Sequence, residues 1–326
     1  MRIGIIGAGK VGTTLGKYLS IHGVDVTGFY SRTQESADEA ATFAETGTYS
    51  SLHELAEKND VIFITTPDGV ISQVWEELLQ QDISNRMICH FSGSLSSHVF
   101  SGREEAGALG ISMHPMYAFS DKFHSYEQFH TAYLTLEGDP EAVTVMKPMW
   151  EELGHHVLTL KAQDKIKYHA AAAMASNEML GLMQASLDVL SECGFSEEDS
   201  MALLTPLVQG NIASMLENGC VNALTGPVER GDAQTVRKHL QALEGSEAGR
   251  IYQSLGSTMV KLAKRRNPDR DYALLRKLFE GAADEKISQA ERDLSGVAAD
   301  EKRLQMGGDP SVKWNRTEIV TDYTQT

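Results

Sequence analysis

The chain has 326 residues, 41% of them hydrophobic, which suffices for a sizeable core and exceeds what one mixed α/β layer stack uses, so two domains are expected. Forty-five Asp and Glu oppose 29 Lys and Arg, and a net charge of -16 argues against nucleic-acid and anionic-membrane partners. Cys89, Cys193 and Cys220 form no CxxC pair, fit a reducing cytoplasm and are expected as buried small hydrophobes; no run reaches the roughly 18 to 20 apolar residues of a membrane span.

The first apolar stretch begins at Ile3 without a basic leader and reads as a strand. Short β-branched runs predict strands at Arg2 to Ile6, Asp25 to Tyr30, Asp60 to Thr65, Arg86 to Phe91, Gly110 to Met113, Ala132 to Glu137 and His156 to Leu160. Between them helices are predicted at Lys10 to His22, Gln34 to Glu45, Val70 to Gln80 and Pro140 to Leu153, with a short turn of helix at Ser51 to Glu57. This alternation is the pattern of a mostly parallel sheet wrapped by helices. After Lys161 the strand signal ends, and helices are predicted at Asp164 to Glu192, Glu197 to Glu217, Ala233 to Ala242 and Ser246 to Lys264. Ser196 and Asp232 read as N-caps and Asn218-Gly219 as a stop. The expected domains are therefore 1–161, a helical unit at 162–293 and, past Leu294 with its Gly307-Gly308-Asp309-Pro310 breaker, a polar tail at 294–326.

Gly7-Ala8-Gly9-Lys10-Val11-Gly12 follows the first strand directly and opens a helix, the context a GxGxxG dinucleotide fingerprint requires. Gly7 permits the tight turn, Gly9 admits a pyrophosphate, Gly12 lets helix and strand pack, and the helix N-terminus offers N–H groups to the anion. At the end of the second strand, where NAD sites carry an acid for the ribose 2′-hydroxyl, stand Ser31, Arg32 and Thr33; a guanidinium with two hydroxyls suits a 2′-phosphate, so the expected cofactor is NADP(H). The plainer alternative makes Ser31 and Thr33 caps of the next helix and Arg32 a solvated charge. Thr65, Thr66 and Pro67 end the Asp60 strand at the crevice and are expected to line the path toward the nicotinamide, with Thr66 alternatively a helix cap.

Ser92 and Gly93 leave one strand and His114 the next, so both turns are expected at the same sheet edge as substrate contacts. Lys165, His169, Ala173, Asn177 and Gly181 recur at steps of four on one helical face, which places Lys165 and His169 as candidate proton donors and Asn177 as the group that orients the atom being reduced. A solvated polar face is the competing reading. Arg230, in the Gly- and Pro-punctuated stretch Asn222 to Asp232, is a candidate clamp for a substrate carboxylate, or the stretch merely joins helices.

The succession Gly7 to Gly12, Ser31-Arg32, Thr66-Pro67-Asp68, Ser92-Gly93, His114-Pro115, Tyr168-His169, Ser176-Asn177, Leu224 to Pro227 and Arg230 to Asp232 resembles a family of Rossmann-like oxidoreductases with a helical C-terminal domain of unassigned function. More distantly it is similar to ketopantoate reductase, pyrroline-carboxylate reductase and the β-hydroxyacid dehydrogenases. That resemblance implies a Rossmann-type α/β domain followed by an all-α domain that in the more distant relatives often builds the dimer, and an oxidoreductase class without a substrate; the leading expectation is a homodimeric NADPH-dependent reductase of a small keto or imino acid. Many of those relatives carry a catalytic Lys four residues before an active-site Asn, where this chain has Ala173, so the expectation moves to His169 and then Lys165. The competing classes are a non-catalytic NADP(H)-binding sensor or scaffold and a deazaflavin enzyme paired with NADP.

Overall fold

The computed structural model describes residues 1–281, and the chain divides into two compact units after Met179. The first unit runs β1 (Ile3–Ile6), α1 (Lys10–Ile21), β2 (Val26–Tyr30), α2 (Gln34–Ala44), β3 (Gly47–Thr48), α3 (Leu52–Lys58), β4 (Val61–Ile64), α4 (Asp68–Leu78), β5 (Met87–His90), β6 (Leu109–Met116), β7 (Tyr133–Gly138), α5 (Pro140–Glu152), β8 (Val157–Thr159) and α6 (Lys165–Ala175). The strands form one sheet in the order β3-β2-β1-β4-β5-β6-β7-β8. Only the β6–β7 pair is antiparallel. The α/β, mostly parallel sheet expected from the alternation is thus present, with the reversal of strand order between β1 and β4.

Every residue of β1 and β4 is buried, as central parallel strands covered on both faces should be. Period-two alternation sends Ile5, Phe63 and Cys89 to one face, with Leu15, Phe29 and Trp150, and Ile6, Ile64 and Ile88 to the other, with Leu55, Trp75 and Phe100. Burial of each such side chain stabilises by roughly 1.5–3 kcal/mol. Gly16 lets α1 approach the sheet, because a Cβ there would lie 2.3 Å from the Phe29 ring. Strand β6 outruns β5: Ser112 pairs with His90, the last residue of β5, and β6 continues along β7 to Met116.

The second unit carries most of α7 (Asn177–Glu192), then α8 (Glu197–Ala223), α9 (Pro227–Arg230), α10 (Ala233–Ala242), α11 (Glu247–Arg266) and helix at 273–281. Its core gathers Val228, Val236, Val260, Ala263, Tyr272, Leu275 and Phe279. Ser196 and Asp232 cap α8 and α10 by accepting from the Asp199 and Thr235 amides, as expected. The Arg266 guanidinium donates to the carbonyls of Asn222 and Leu224 and closes the end of α8. No helix among the described residues is long and apolar enough to cross a membrane.

Several expectations need correction. The single helix expected over Asp164 to Glu192 is broken at Ser176 (φ −121, ψ −76), whose hydroxyl donates to the Ala172 carbonyl and so competes with the backbone ladder. The expected stop at Asn218-Gly219 is present as a break within α8: Gly219 leaves helical geometry (φ 75, ψ 160), and a short second stretch of helix, not expected, carries the chain to Ala223. Thr66 does not cap α4, which starts from Pro67 with no side-chain cap. His114 lies inside β6, not in a turn beyond it. Of the three cysteines only Cys89 is buried; Cys193 and Cys220 are exposed. The two-residue β3 is too short to leave a periodic signal. The expected tail at 294–326, its breaker and the limit at 293 lie outside the described residues.

Candidate functional site

The carboxyl edge of the sheet presents a glycine-built turn at one end and a polar corner at the other. In the turn, Gly7 has φ 106, a value L side chains rarely adopt, and its amide donates to the Tyr30 carbonyl. A Cβ on Gly12 would stand 2.2 Å from the Gly7 carbonyl oxygen, so turn and helix close on each other. Gly9 differs: its φ of −80 suits any residue, and a Cβ there would meet no atom within 4 Å. No side chain caps α1, which leaves its first amides, around Lys10 and Val11, aimed outward beside Ala8. The Lys10 ammonium donates instead to the Ser120 carbonyl at 2.7 Å, tying the turn to the β6–β7 connection.

At the next strand end, Thr33 caps α2 by accepting from the Ser36 amide, so the plainer reading of that hydroxyl holds. Ser31 is half-buried, while Arg32 is exposed and makes no ion pair or hydrogen bond among the described residues. Across the switch point the Thr65 hydroxyl reaches the carbonyls of Ile6 and Gly7 at 3.1 and 3.0 Å. The Thr66 hydroxyl is buried without a partner, and Pro67 starts α4.

The polar corner is built where α6 lies along β6. Ser112 and His114 share one face of the strand, and Lys165 and Tyr168–His169 stand one helical turn apart, so the two spacings match. Lys165, only 1% exposed, donates to the Ser92 carbonyl at 2.8 Å and to the Ser112 hydroxyl at 2.5 Å. Among the described residues no carboxylate lies within ion-pair distance of this ammonium, and burial pushes its pKa down to about 8. His114 meets the Tyr168 hydroxyl through Nδ1 at 2.8 Å, and its ring stands perpendicular to that of His169 with centroids 5.9 Å apart. Both rings bear on Gly93, where a Cβ would come within 2.3 Å of His169 Nδ1 and 2.9 Å of His114 Nε2. Burial, then the neighbouring Lys165 charge, lowers His114 to about 4, so the ring is neutral at physiological pH.

The loop after β5 is fastened at several points. His90 Nδ1 accepts from the Ser92 amide, which directs the Nε2 proton to the Ser96 carbonyl; burial holds this ring near 4 as well. Asp68, in the first turn of α4, accepts from the hydroxyls of Ser92 and Ser94 at 2.6 and 3.0 Å. Buried Glu137, opposite Ser112 in the sheet, accepts from the Ser97 amide and hydroxyl.

Ser92, Gly93, His114, Lys165 and His169 are therefore brought together. Asn177 is not on their stripe: beyond the break at Ser176 it starts α7, where its Oδ1 accepts from the Ser176 hydroxyl. Arg230 ends α9 in the second unit, exposed and with no side-chain hydrogen bond among the described residues. The sequence reading missed Asp68, Ser112, Glu137 and the Tyr168 hydroxyl as partners. Alternation along β6 marks Ser112 with His114; nothing local pairs Asp68 with Ser92.

Strand order, glycine turn and uncapped α1 define a Rossmann-type dinucleotide fold with a helical C-terminal region. Residues 1–115 match the Rossmann-like domain, and residues 132–259 match the Domain of unknown function (DUF2520). No curated protein matches the chain. Among solved structures, protein TM1727 from Thermotoga maritima is 24% identical with a TM-score of 0.66, over 81% of this chain and 98% of that one. A Bacteroides fragilis protein, provisionally an NADP oxidoreductase, is 22% identical with a TM-score of 0.62, over 80% and 98%. An imine reductase from Myxococcus stipitatus in complex with NADP+ is 16% identical with a TM-score of 0.57, over 85% and 99%. At these identities the likeness is one of fold.

Proposed function

We propose that the chain is an NADP(H)-dependent oxidoreductase that interconverts a small keto or imino acid and its reduced form, with the reaction at the corner of Ser92, Gly93, His114, Lys165 and His169. The observation that carries this reading is the contrast within the glycine turn. Gly7 and Gly12 are required by the protein's own packing, whereas no described residue fills the space before Gly9. A diphosphate against the first amides of α1 accounts for that space, with the unpartnered Thr66 hydroxyl on the same edge as a further polar contact. Gly7, Ala8, Gly9, Lys10, Val11 and Gly12 would hold the diphosphate through their backbone, and Ser31 and Arg32 the ribose phosphate. When bound, the nicotinamide supplies or accepts the hydride.

The protein's own groups supply the rest. Gly93 lets two imidazoles approach one point, Lys165 fixes the loop and lends positive charge, and exposed His169 can pass a proton between substrate and water. The Myxococcus imine reductase, in complex with NADP+, and the Bacteroides protein described as an NADP oxidoreductase support a nicotinamide cofactor. The choice of NADP over NAD rests on Arg32, which has no partner to satisfy it within the described chain. Calorimetry tests it: NADP(H) should bind at least about tenfold more tightly than NAD(H), a margin of about 1.4 kcal/mol that Arg32→Ala should erase. Equal affinities in the wild type would refute the preference.

Exposed Leu203, Leu207 and Leu216 on α8 are proposed to be covered by a second copy of the chain, so light scattering should give twice the 35.7 kDa chain mass.

A further inference from the structure

We infer that Tyr168 is a positioning residue that holds His114 as its Nε2–H tautomer, and that the site therefore takes a carbonyl compound or alcohol, whose oxygen receives that N–H, in preference to an imine or amine. The inference rests on the proposed oxidoreductase reading and narrows its substrate class.

The tautomer follows from the partners on the two ring nitrogens. Nδ1 of His114 lies 2.8 Å from the Tyr168 hydroxyl, within hydrogen-bond distance, so the relative acidity of the two groups decides which donates. The phenol is the stronger acid of the two neutral groups, and burial raises its pKa further, so it keeps its proton and donates it. The Thr135 hydroxyl, across the β6–β7 ladder from His114, donates to the His114 carbonyl and so leaves the phenol's proton free for Nδ1. With Nδ1 accepting, the ring proton sits on Nε2. That nitrogen makes no hydrogen bond among the described residues and faces the approach to Gly93, kept open by the lack of a Cβ.

The substrate class follows from that donor and the charges around it. Lys165, two strand positions and one helix turn behind His114, is a buried ammonium with no carboxylate at ion-pair distance among the described residues. Of the two nearest acids, Asp68 is engaged by Ser92 and Ser94, and Glu137 by Ser97. Both carboxylates keep their charge and partly offset that of Lys165, so the selection falls to the His114 N–H: a carbonyl oxygen that gains electron density accepts it, whereas an iminium nitrogen has no lone pair to accept with. In reduction, the carbonyl carbon accepts a hydride from the reduced nicotinamide, the C=O π pair moves onto oxygen, and that oxygen takes one proton from water by way of His169. The products are the alcohol and the oxidised cofactor.

Imidazole 15N NMR of the protein alone, with His114 assigned by the signal lost in His114→Gln, should show a protonated Nε2 and a bare Nδ1. Tyr168→Phe, which removes one oxygen and keeps the ring, should turn that signal into a tautomer mixture. In calorimetry with saturating NADP+, lactate and 3-hydroxybutyrate should bind at least about tenfold more tightly than alanine and pyrrolidine. Tyr168→Phe should remove that margin and leave the NADP+ affinity unchanged. A protonated Nδ1 in the wild type overturns the inference, as does equal or tighter binding of the amines, or no binding of the hydroxy compounds. Failure of the underlying reading is distinct, since the wild type would then bind no NADP+ at all.

Discussion

The two ends of the sheet's carboxyl edge are built on opposite principles. The glycine turn spans six consecutive residues, contains no titratable group except Lys10 and works through backbone amides. The corner draws on Asp68, Ser92, His114, Glu137, Lys165, Tyr168 and His169 from five separate segments, and all of these but His169 make side-chain hydrogen bonds. A site of backbone geometry is insensitive to pH, whereas a site of buried titratable side chains responds to it.

Acid should separate the two ends most strongly. His90 and His114 are both held at about 4, below the usual 6.5, chiefly by burial. Above pH 6.5 neither the folded nor the unfolded chain protonates them, and their contribution is complete. As pH falls from 6.5 toward 4, the unfolded chain takes up protons that the folded chain refuses, so stability is lost, by roughly 3 kcal/mol per ring at most. Urea titrations at pH 7 and 4 should show this loss in the wild type and much less of it in a His90→Gln, His114→Gln double variant. An equal loss in both would place the acid sensitivity elsewhere.

Packing at the other end should give the next effect. Gly12→Ala drives a Cβ into the Gly7 carbonyl and should lower stability by roughly 3 kcal/mol, read as a drop in Tm and in the urea midpoint. Gly9→Ala should leave Tm unchanged, because its Cβ meets only empty space, while NADP(H) affinity falls at least about tenfold, or about 1.4 kcal/mol. If Gly9→Ala lost stability and kept its affinity, the contrast between the two glycines would be void.

The same difference decides what could be read without a structure. The glycine turn was legible because every residue it needs lies within one βα junction, and the sheet because β1 and β4 are continuous apolar runs between helices. Lys165 and His169 were legible as a pair because one helical turn joins them. Asn177 was misplaced because the four-residue period was carried through Ser176, where a hydroxyl-to-carbonyl bond ends the helix. His114 lies past the apolar run Gly110 to Met113 and so reads as a turn residue, yet β7 pairs along that stretch and keeps it extended. The bonds from Ser92 and Ser94 to Asp68 exist only because β4 and β5 are neighbours, a fact of topology that no spacing records.

Lys165 has a meaning for the molecule's history. Shielding a lone ammonium from water works against folding, and a methionine of similar length would fit the same slot at lower cost. Durability and chemistry therefore pull in opposite directions at this residue, and a lineage selected for heat resistance alone would be expected to discard it. If the proposed reaction holds, its presence marks the place where the chain has kept reactivity at the expense of robustness.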